Sequence, residues 1–407
     1  MTTRRQFLSA AVGSTALVGT AAGVPDFLFA ACDPEVAKKS DRILVVIQLS
    51  GGNDGINTVI PYADDNYYKN RFTLAIGKEQ VLKVDDHCGF HPSMTGFSEL
   101  LEDSRLAVIN GVGYPNPNRS HFDSMDLWHT AHNRGQQTPT GWLGRYFDLN
   151  PKSTGTDVPG IHFGAEKQPL ALAAEKTQIP TLRNLDDFRL RMGGREKLKA
   201  LIKQNVQTKR SSENELLTFV QSNTISAIQT SSRVEQVLGK YKSRVQYPQT
   251  GLGRKLATVA QLIGSDLKTN VYYVTLDGFD THSNQAQAHS GLLSQLSGAL
   301  KTFMDDLKEQ GNDKRTLAFV FSEFGRRVRE NASAGTDHGA AAPAFLAGGS
   351  INSGTFGKYP SLTDLLEDDL KHNVDYRQIY ATILEKWFAT DSKKVLGKKF
   401  ASMDLFG

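Results

Sequence analysis

The sequence is poor in cysteine, because the chain of 407 residues contains only Cys32 and Cys88. A disulfide framework is therefore excluded, although these two thiols can pair in an oxidising compartment. An excess of one charge is also lacking, since 47 Lys and Arg residues nearly balance 43 Asp and Glu residues. No polybasic tract with interleaved aromatic residues is present, so nucleic acid is not an expected partner. After the N-terminal segment, no apolar run reaches the length of a membrane span.

The N-terminal segment resembles a bacterial twin-arginine export signal. Arg4 and Arg5 precede a weakly apolar run, rich in Ala and Gly, that ends at Val24. Residues 1–31 are therefore interpreted as a signal peptide, and the mature protein is expected in the periplasm or cell envelope. The end of this segment resembles a lipobox, which leaves two outcomes open: a lipid anchor on Cys32 or simple cleavage just before it.

Predicted strands and helices alternate along the remaining chain. Short apolar runs rich in β-branched and aromatic residues predict strands covered on both faces at residues 42–50, 106–112, 271–276, 316–321 and 343–348. Helical spacing of apolar residues predicts helices at residues 93–103, from 120, at 252–267, at 292–307 and at 376–388. This alternation predicts one α/β domain over residues 42–407, with a doubly wound, mostly parallel sheet.

Residues 186–247 differ in character from the rest of the chain. They contain no proline and carry many charged residues between spaced Leu and Val residues. The segment predicts two long amphipathic helices inserted between elements of the sheet. A coiled-coil surface for a partner is the alternative interpretation.

Residue types that bind metals follow the C-terminal ends of the predicted strands. In chain order they are Asp54, Asp277, Asp280, His282, Glu323, Asp337 and His338. Ligands of open α/β sheets bind beyond these strand ends, and carboxylates with imidazoles suit a divalent ion. Each residue also has an ordinary alternative, such as a turn residue or, for Glu323, a salt bridge to Arg326 or Arg327. Taken together they predict one or two ions, with Zn²⁺ favoured and Mn²⁺, Ca²⁺ or Mg²⁺ as alternatives.

Ser120 is the candidate nucleophile, because it begins a predicted helix directly after the second strand. Backbone N–H groups and the helix dipole at that position stabilise negative charge. The same residue type is a preferred helix N-cap, and the two roles can coexist. Arg119 and Arg326 are the candidates for holding a tetrahedral anion through bidentate hydrogen bonds. Three histidines on this helix, at positions 121, 129 and 132, carry a less specific signal.

Five segments together resemble the bacterial domain-of-unknown-function family 1501. They read GGNDGINTVIPY, GVGYPNPNRSHFDSMDLWHTA, LDGFDTHSNQ, FSEFGRRVRENASAGTDHG and VDYRQIYATILEKWF. Members of that family commonly bear twin-arginine leaders and are placed with the alkaline phosphatase and sulfatase superfamily. The resemblance implies a sheet of the alkaline phosphatase type, a nucleophile at Ser120, and metal ligands at Asp54, at Asp277 or Asp280 with His282, and at His338.

This chain departs from the superfamily pattern at one strand end. Alkaline phosphatases have Asp-His there, whereas this chain has Glu323-Phe324. One imidazole of a second metal site is therefore missing, and Asp337 is the expected replacement.

The expected function is that of an exported, metal-dependent hydrolase of small-molecule or polymeric phosphate or sulfate esters. Ser120 or a metal-bound water would be the nucleophile. The competing hypothesis is a catalytically degenerate member of the superfamily that acts as a cell-envelope binding protein. A metal-free serine hydrolase is disfavoured because the sequence has no G-x-S-x-G motif around Ser120. The sequence leaves the oligomeric state open.

Overall fold

The computed structural model describes residues 41–133, 135–136, 138–151, 157–183, 240–265 and 267–407. The predicted leader, Cys32 and most of the predicted insertion lie outside the described residues. Of the insertion only residues 240–247 are described, and they form no helix. Cys88 is buried with a free thiol. None of the described helices is long and apolar enough to cross a membrane.

The described elements alternate between strands and helices. The strands are β1 (Ile43–Ser50), β2 (Val59–Ile60), β3 (Leu82–Lys83), β4 (Gly89–Phe90), β5 (Leu106–Gly113), β6 (Gly160–Phe163), β7 (Thr181–Leu182), β8 (Val271–Asp277), β9 (Thr316–Ser322), β10 (Ala342–Gly348), β11 (Gly354–Phe356), β12 (Leu365–Leu366), β13 (Asp369–Leu370) and β14 (Val374–Asp375). The helices are α1 (Asp65–Asn70), α2 (Thr95–Glu102), α3 (His121–Thr130), α4 (Trp142–Leu149), α5 (Gly251–Gly264), α6 (Gln285–Glu309), α7 (Tyr376–Thr382) and α8 (Ser392–Leu396). The helix predicted over residues 376–388 is present, but its second half is a π-helical turn at Ile383–Trp387.

Nine strands form one sheet in the order β11-β5-β10-β9-β1-β8-β6-β7, with β14 also paired to β5. Strand β1 lies between β8 and β9 and is parallel to both. Strand β10 is antiparallel to both of its neighbours, β9 and β5, and every other recorded pairing of this sheet is parallel. The prediction of a mostly parallel sheet is therefore confirmed.

Helices cover both faces of the sheet, as expected for a doubly wound fold. Alternate residues of β1 point to opposite faces, with Val45 and Ile47 in one core and Leu44 and Val46 in the other. Helices α2, α5 and α6 pack on the first face, and α3, α4, α7 and α8 pack on the second. Burial on both faces explains why these strands read as continuous apolar runs.

The carboxyl ends of β8, β1 and β9 meet at one edge of the sheet. Ser50 pairs with Asp277 of β8, and the preceding Leu49 pairs with Ser322 of β9. Because β10 is antiparallel, the connection from β9 leaves and re-enters the sheet at this same edge. The residues that follow β1, β8 and β9 are therefore brought together, as the sequence predicts.

Acidification below about pH 6.5 is expected to destabilise the protein through buried histidines. Burial lowers the pKa of His289, on α6, to about 4 from an ordinary value of 6.5. Between these values the unfolded state binds one proton more than the folded state, so stability falls by about 1.4 kcal/mol per pH unit for this group. We expect His289→Gln to flatten the slope of unfolding free energy against pH in urea titrations. The exposed His87→Gln variant is the control, and equal slopes in both variants would contradict the assignment.

Candidate functional site

Three imidazoles surround one carboxylate at the edge of the sheet. Oδ1 of Asp280 lies 3.0 Å from Nε2 of His282, 3.0 Å from Nε2 of His338 and 3.5 Å from Nε2 of His121. The Nε2 atoms of His282 and His338 are themselves 2.9 Å apart. We call these four residues the acceptor cluster. Its side chains are partly exposed, between 21% for His338 and 47% for Asp280, so solvent and ligands can reach it.

Each imidazole is held through its other nitrogen by an oxygen atom. Nδ1 of His121 lies 2.8 Å from Glu323 Oε1, and Nδ1 of His282 lies 3.1 Å from Asp337 Oδ1. Nδ1 of His338 lies 2.7 Å from the backbone oxygen of Arg119. A backbone carbonyl and ionised carboxylates only accept hydrogen bonds, so each Nδ1 carries a proton and donates it. In the neutral imidazoles, Nε2 then presents a lone pair to the cluster.

Four electron-pair acceptors therefore converge, and Arg326 donates to only one of them, Asp280 Oδ1, so the three imidazole nitrogens repel one another unless a further positive charge lies among them. Nε2 of His121 is buried and has no hydrogen-bond partner among the described residues. A single proton can bridge only one pair of these atoms, whereas one divalent cation satisfies all four. Ligand atoms at about 2.0–2.1 Å from a tetrahedral zinc ion lie about 3.3 Å apart. His121, Asp280 and His338 each offer a ligand atom within 4.8 Å of the other two, so these three fit one such ion in type, and His282 lies beside them, 3.0 Å from Asp280.

Contacts within the site shift the pKa values of two cluster residues, Asp280 and His121. Burial opposes ionisation of Asp280, but the hydrogen bond and the positive charge of Arg326 lower its pKa to about 2. A hydrogen bond to Glu323 raises the pKa of His121, against the effect of burial. Asp280 is therefore a carboxylate at any physiological pH, as a metal ligand must be.

Close backbone packing positions the residues of the cluster. Gly51, after β1, has a φ of +115°, and a Cβ atom there would lie 2.4 Å from the backbone nitrogen of Asp280. A Cβ atom on Gly335 would lie 2.2 Å from the carbonyl carbon of His282. An isolated antiparallel β-bridge between the backbones of Arg326 and His338 aligns the two ends of the connection between β9 and β10. Larger residues at these glycines would push the cluster apart.

Glu323 and Asp337 were predicted as metal ligands, but the structure gives both a supporting position. Glu323 is only 1% exposed and accepts hydrogen bonds from the Gly51 backbone, from His121 and from the Ser322 hydroxyl. Asp337 accepts from His282 and Asn331, and these hydrogen bonds lower its pKa against the effect of burial. Both carboxylates orient an imidazole of the cluster, and such partners tune metal affinity from outside the ligand set.

Asp54 and Asp277, also predicted as metal ligands, do not belong to the acceptor cluster. Asp54 is fully buried, and both of its carboxylate oxygens accept hydrogen bonds from the Arg71 guanidinium, at 2.5 and 2.9 Å. Gln285 also donates to the Asp54 carboxylate, which leaves it committed to the interior. Asp277 is exposed, and its carboxylate accepts from the backbone of Gly278.

Arg326 was predicted to hold a substrate anion, but its buried guanidinium already binds backbone oxygens and Asp280. It donates to backbone oxygens of Gly52, Phe279 and Thr336 at 2.7, 3.0 and 2.7 Å, and also to that of Gly51. It makes a further ion pair of 2.7 Å with Asp280. The group therefore braces the strand ends and Asp280, and its side chain is fully buried, out of reach of a substrate anion. The alternative prediction, a salt bridge to Glu323, is not found among the described ion pairs.

Ser120 and Arg119 stand beside the cluster. Ser120 is the N-cap of α3, and its Oγ accepts from the backbone nitrogen of Asp123 at 3.4 Å. It directly precedes His121, so it lies at the positive end of the helix next to the acceptor cluster. The Arg119 guanidinium pairs with Asp369 at 2.8 Å and is 35% exposed. The N-cap role of Ser120 is thus observed, and its role as nucleophile stays a prediction.

His121 is the cluster residue that the sequence did not single out. It lies on a helix rather than after a strand, and two other histidines follow it, His129 on the helix and His132 beyond its end, with no comparable role in the cluster. Only its position next to Ser120 could have drawn attention to it. Phe324, which replaces an imidazole of the superfamily pattern, packs its ring 4.9 Å from the rings of both His121 and His338. An apolar wall therefore occupies the place expected for a second set of ligands.

Comparison with known proteins identifies the chain only at the level of its family. The family described as "Protein of unknown function (DUF1501)" matches residues 41–401. No curated protein shows significant sequence similarity to the chain.

Several solved structures are similar in fold. A sulfatase from Pseudoalteromonas sp. has 11% identity and a TM-score of 0.44, over 94% of this chain and 75% of that one. The zinc complex of the C-terminal periplasmic domain of EcEptC from Escherichia coli has 9% identity and a TM-score of 0.38, over 76% and 74%. The lipoteichoic acid synthase LtaP from Listeria monocytogenes has 9% identity and a TM-score of 0.38, over 78% and 68%. These likenesses are distant, so the chemistry of this chain must follow from its own residues.

We expect Glu323→Gln to weaken ion binding more than Asp337→Asn does. Glu323 is held rigidly at the end of a buried strand, whereas the side chain of Asp337 is 52% exposed and water can replace it. Loss of such a supporting carboxylate typically costs about 10–100-fold in metal affinity. Competition titration with a chromophoric chelator, at equal folded yield, measures the difference. Asp277→Asn is the control near the site, and equal affinities for the Glu323 and Asp337 variants would contradict the prediction.

Asp54→Asn is expected to destabilise the fold without removing the ion. It leaves Arg71 buried without a counter-charge, which typically costs about 3–5 kcal/mol. Asp54→Leu combined with Arg71→Met should recover much of this loss, because it removes both charges. Urea unfolding and metal analysis of the same samples test the point. An Asp54→Asn protein of native stability that has lost its ion would restore Asp54 to the ligand set.

Proposed function

The chain belongs to the DUF1501 family, and from this premise we propose that it is an exported, metal-dependent hydrolase of phosphate or sulfate esters. One divalent ion would be held by the acceptor cluster, formed by Asp280, His121, His282 and His338. The observation that carries the proposal is the convergence of three imidazole Nε2 atoms on Asp280 Oδ1, each imidazole being held by an acceptor at Nδ1. Imidazole-rich sites favour Zn²⁺, with Mn²⁺ as the main alternative.

A bound ion would supply Lewis-acid stabilisation of the ester oxygens and a lowered pKa for a coordinated hydroxyl or water. The residues of the chain supply the remaining requirements. Ser120 is the proposed nucleophile, because the N-terminal amides of α3 stabilise negative charge beside it. Arg119 keeps a partly exposed guanidinium next to Ser120 and is the proposed contact for the anionic group. Glu323 and Asp337 hold the imidazoles in place.

The proposal specifies one ion rather than two. The carboxylates available for a second ion are already engaged, since Asp54 pairs with Arg71 and Glu323 binds His121 and the Gly51 backbone. The buried guanidinium of Arg326 contributes a fixed positive charge 2.7 Å from Asp280. This charge opposes every cation bound near Asp280, so a second divalent ion would add to a repulsion that the first already meets.

The competing proposal is a binding protein of the cell envelope that retains the site without turnover. The observation in its favour is that Ser120 Oγ already caps α3, a role that needs no catalysis. Export by the twin-arginine pathway, and a lipid anchor at Cys32, belong to both proposals and rest on the sequence alone. Both also share the ligand class, a small-molecule or polymeric phosphate or sulfate ester.

Metal analysis and an ester panel test the proposal. Protein purified without chelator should contain about one equivalent of a divalent ion, and His282→Ala and Asp280→Asn should lose most of it. Turnover of aryl phosphates or sulfates should fall about 100-fold or more in Ser120→Ala with the ion retained. His87→Ala, an exposed histidine away from the site, is the control. Absence of bound ion even after addition of Zn²⁺ or Mn²⁺ overturns the metal site, and bound ion without any turnover favours the binding protein.

A further inference from the structure

A groove with a volume of about 790 Å³ opens beside the acceptor cluster, on the side of His121 and Glu323. Its walls come from the first turns of α3, from the ends of β1 and β8, and from residues 166–173. The lining combines apolar residues, among them Met125, Pro169 and Leu170, with a larger number of polar and charged residues. A group bound at the cluster can therefore extend directly into this space.

Phe122 lies at the mouth of the groove, one residue from His121. Its side chain is 85% exposed, the highest value among the large hydrophobic residues left on the surface. Within the described part of the chain, no ring stacks on it and no cation lies over it. Covering this ring would remove apolar surface from water, so a ligand that enters the groove would gain free energy by packing against it.

Acidic residues outnumber lysines in the lining of the groove, where Asp126, Glu166, Asp277 and Glu323 face Lys167 and Lys255. Lys255 Nζ lies 3.7 Å from Glu166 Oε1. Burial raises the pKa of Asp126, and the positive charge of Lys167 partly offsets that rise. Asp277 adds a further carboxylate at the exposed end of β8. The groove therefore offers no net positive charge to a second phosphate or sulfate group on the ligand.

The floor of the groove offers hydrogen bonds to an uncharged ligand. Gln48 Oε1 accepts from the hydroxyl of Tyr273, and Nε2 of His129 lies 3.1 Å from the same oxygen. The Gln48 amide nitrogen has no recorded partner among the described residues, and Gln48 lines the groove. This nitrogen can donate to a ligand oxygen.

We propose that the groove binds the leaving group of the ester, and that this leaving group is an uncharged, ring-bearing alcohol whose ring packs against Phe122. The inference rests on the proposed function, because it takes the anionic end of the ester to lie at the acceptor cluster. The apolar part of the lining, the exposed ring of Phe122 and the excess of acidic residues together favour a neutral ring over a polyanionic group such as a nucleoside polyphosphate. Aromatic and sugar rings share this chemistry.

Kinetics of Phe122 variants test the proposal in the metal-loaded protein. Phe122→Ala should raise KM about tenfold for methylumbelliferyl phosphate or for glucose phosphate, with kcat nearly unchanged, because covering one ring face is worth about that factor. KM for methyl phosphate, which has no ring, should stay the same. Phe122→Tyr keeps the ring and should keep the native KM. Phe72→Ala, which removes another exposed phenylalanine, is the matched control. A shift confined to the aryl or to the sugar ester identifies which ring the groove takes.

Direct binding separates failure of this inference from failure of the proposed function. Calorimetry with methylumbelliferone and with cellobiose, neither of which carries an ester, needs no turnover. If the protein hydrolyses no ester but Phe122→Ala still weakens binding of one of these ligands, the groove is supported and the hydrolase is not. If esters are hydrolysed and Phe122→Ala changes neither KM nor binding, the groove assignment is overturned. A lower KM for ATP than for the ring-bearing monoesters overturns it as well.

Discussion

The buried guanidinium of Arg326 is the contact on which the geometry of the site depends. It ties together the turns after β1 and β8 and the connection from β9, and it holds Asp280 by an ion pair of 2.7 Å. Because this charge lies out of water, removing any of its acceptors would leave it poorly compensated. The same arginine therefore fixes the carboxylate on which the three imidazoles converge. It also excludes other cations from the space it fills.

Much of the fold followed from the sequence because strands buried on both faces leave an unmistakable apolar run. The ends of those runs located Asp280, His282 and His338, and the parallel pairing of β1, β8 and β9 brought them together. Asp54 could not be assigned in this way, because its partner Arg71 lies on a separate short segment and only the folded chain shows the pair. His121 was missed for a related reason. A helix start gives no sign of which strand end it will face.

Asp54 and Asp280 show how one residue type serves two purposes in the same sheet edge. Each is paired with an arginine, but Asp54 is fully enclosed whereas Asp280 keeps nearly half of its side chain exposed. A carboxylate in an enclosed ion pair does not readily exchange its partner for a ligand, because separating the pair would leave buried charges uncompensated. Exposure, rather than the number of nearby charges, therefore separates the carboxylate that can bind an ion from the one that only supports the fold.

The three imidazoles of the cluster come from parts of the chain that are distant in sequence. His282 and His338 are 56 residues apart, and His121 contacts a carboxylate 202 residues further on. An ion bound there would act as a reversible cross-link between three segments, and closing such long loops costs the unfolded chain considerable entropy. Ion binding and folding are then thermodynamically linked. At free ion concentrations about 100 times the dissociation constant, the folded state would gain about 2.7 kcal/mol, a large fraction of the stability of an ordinary domain.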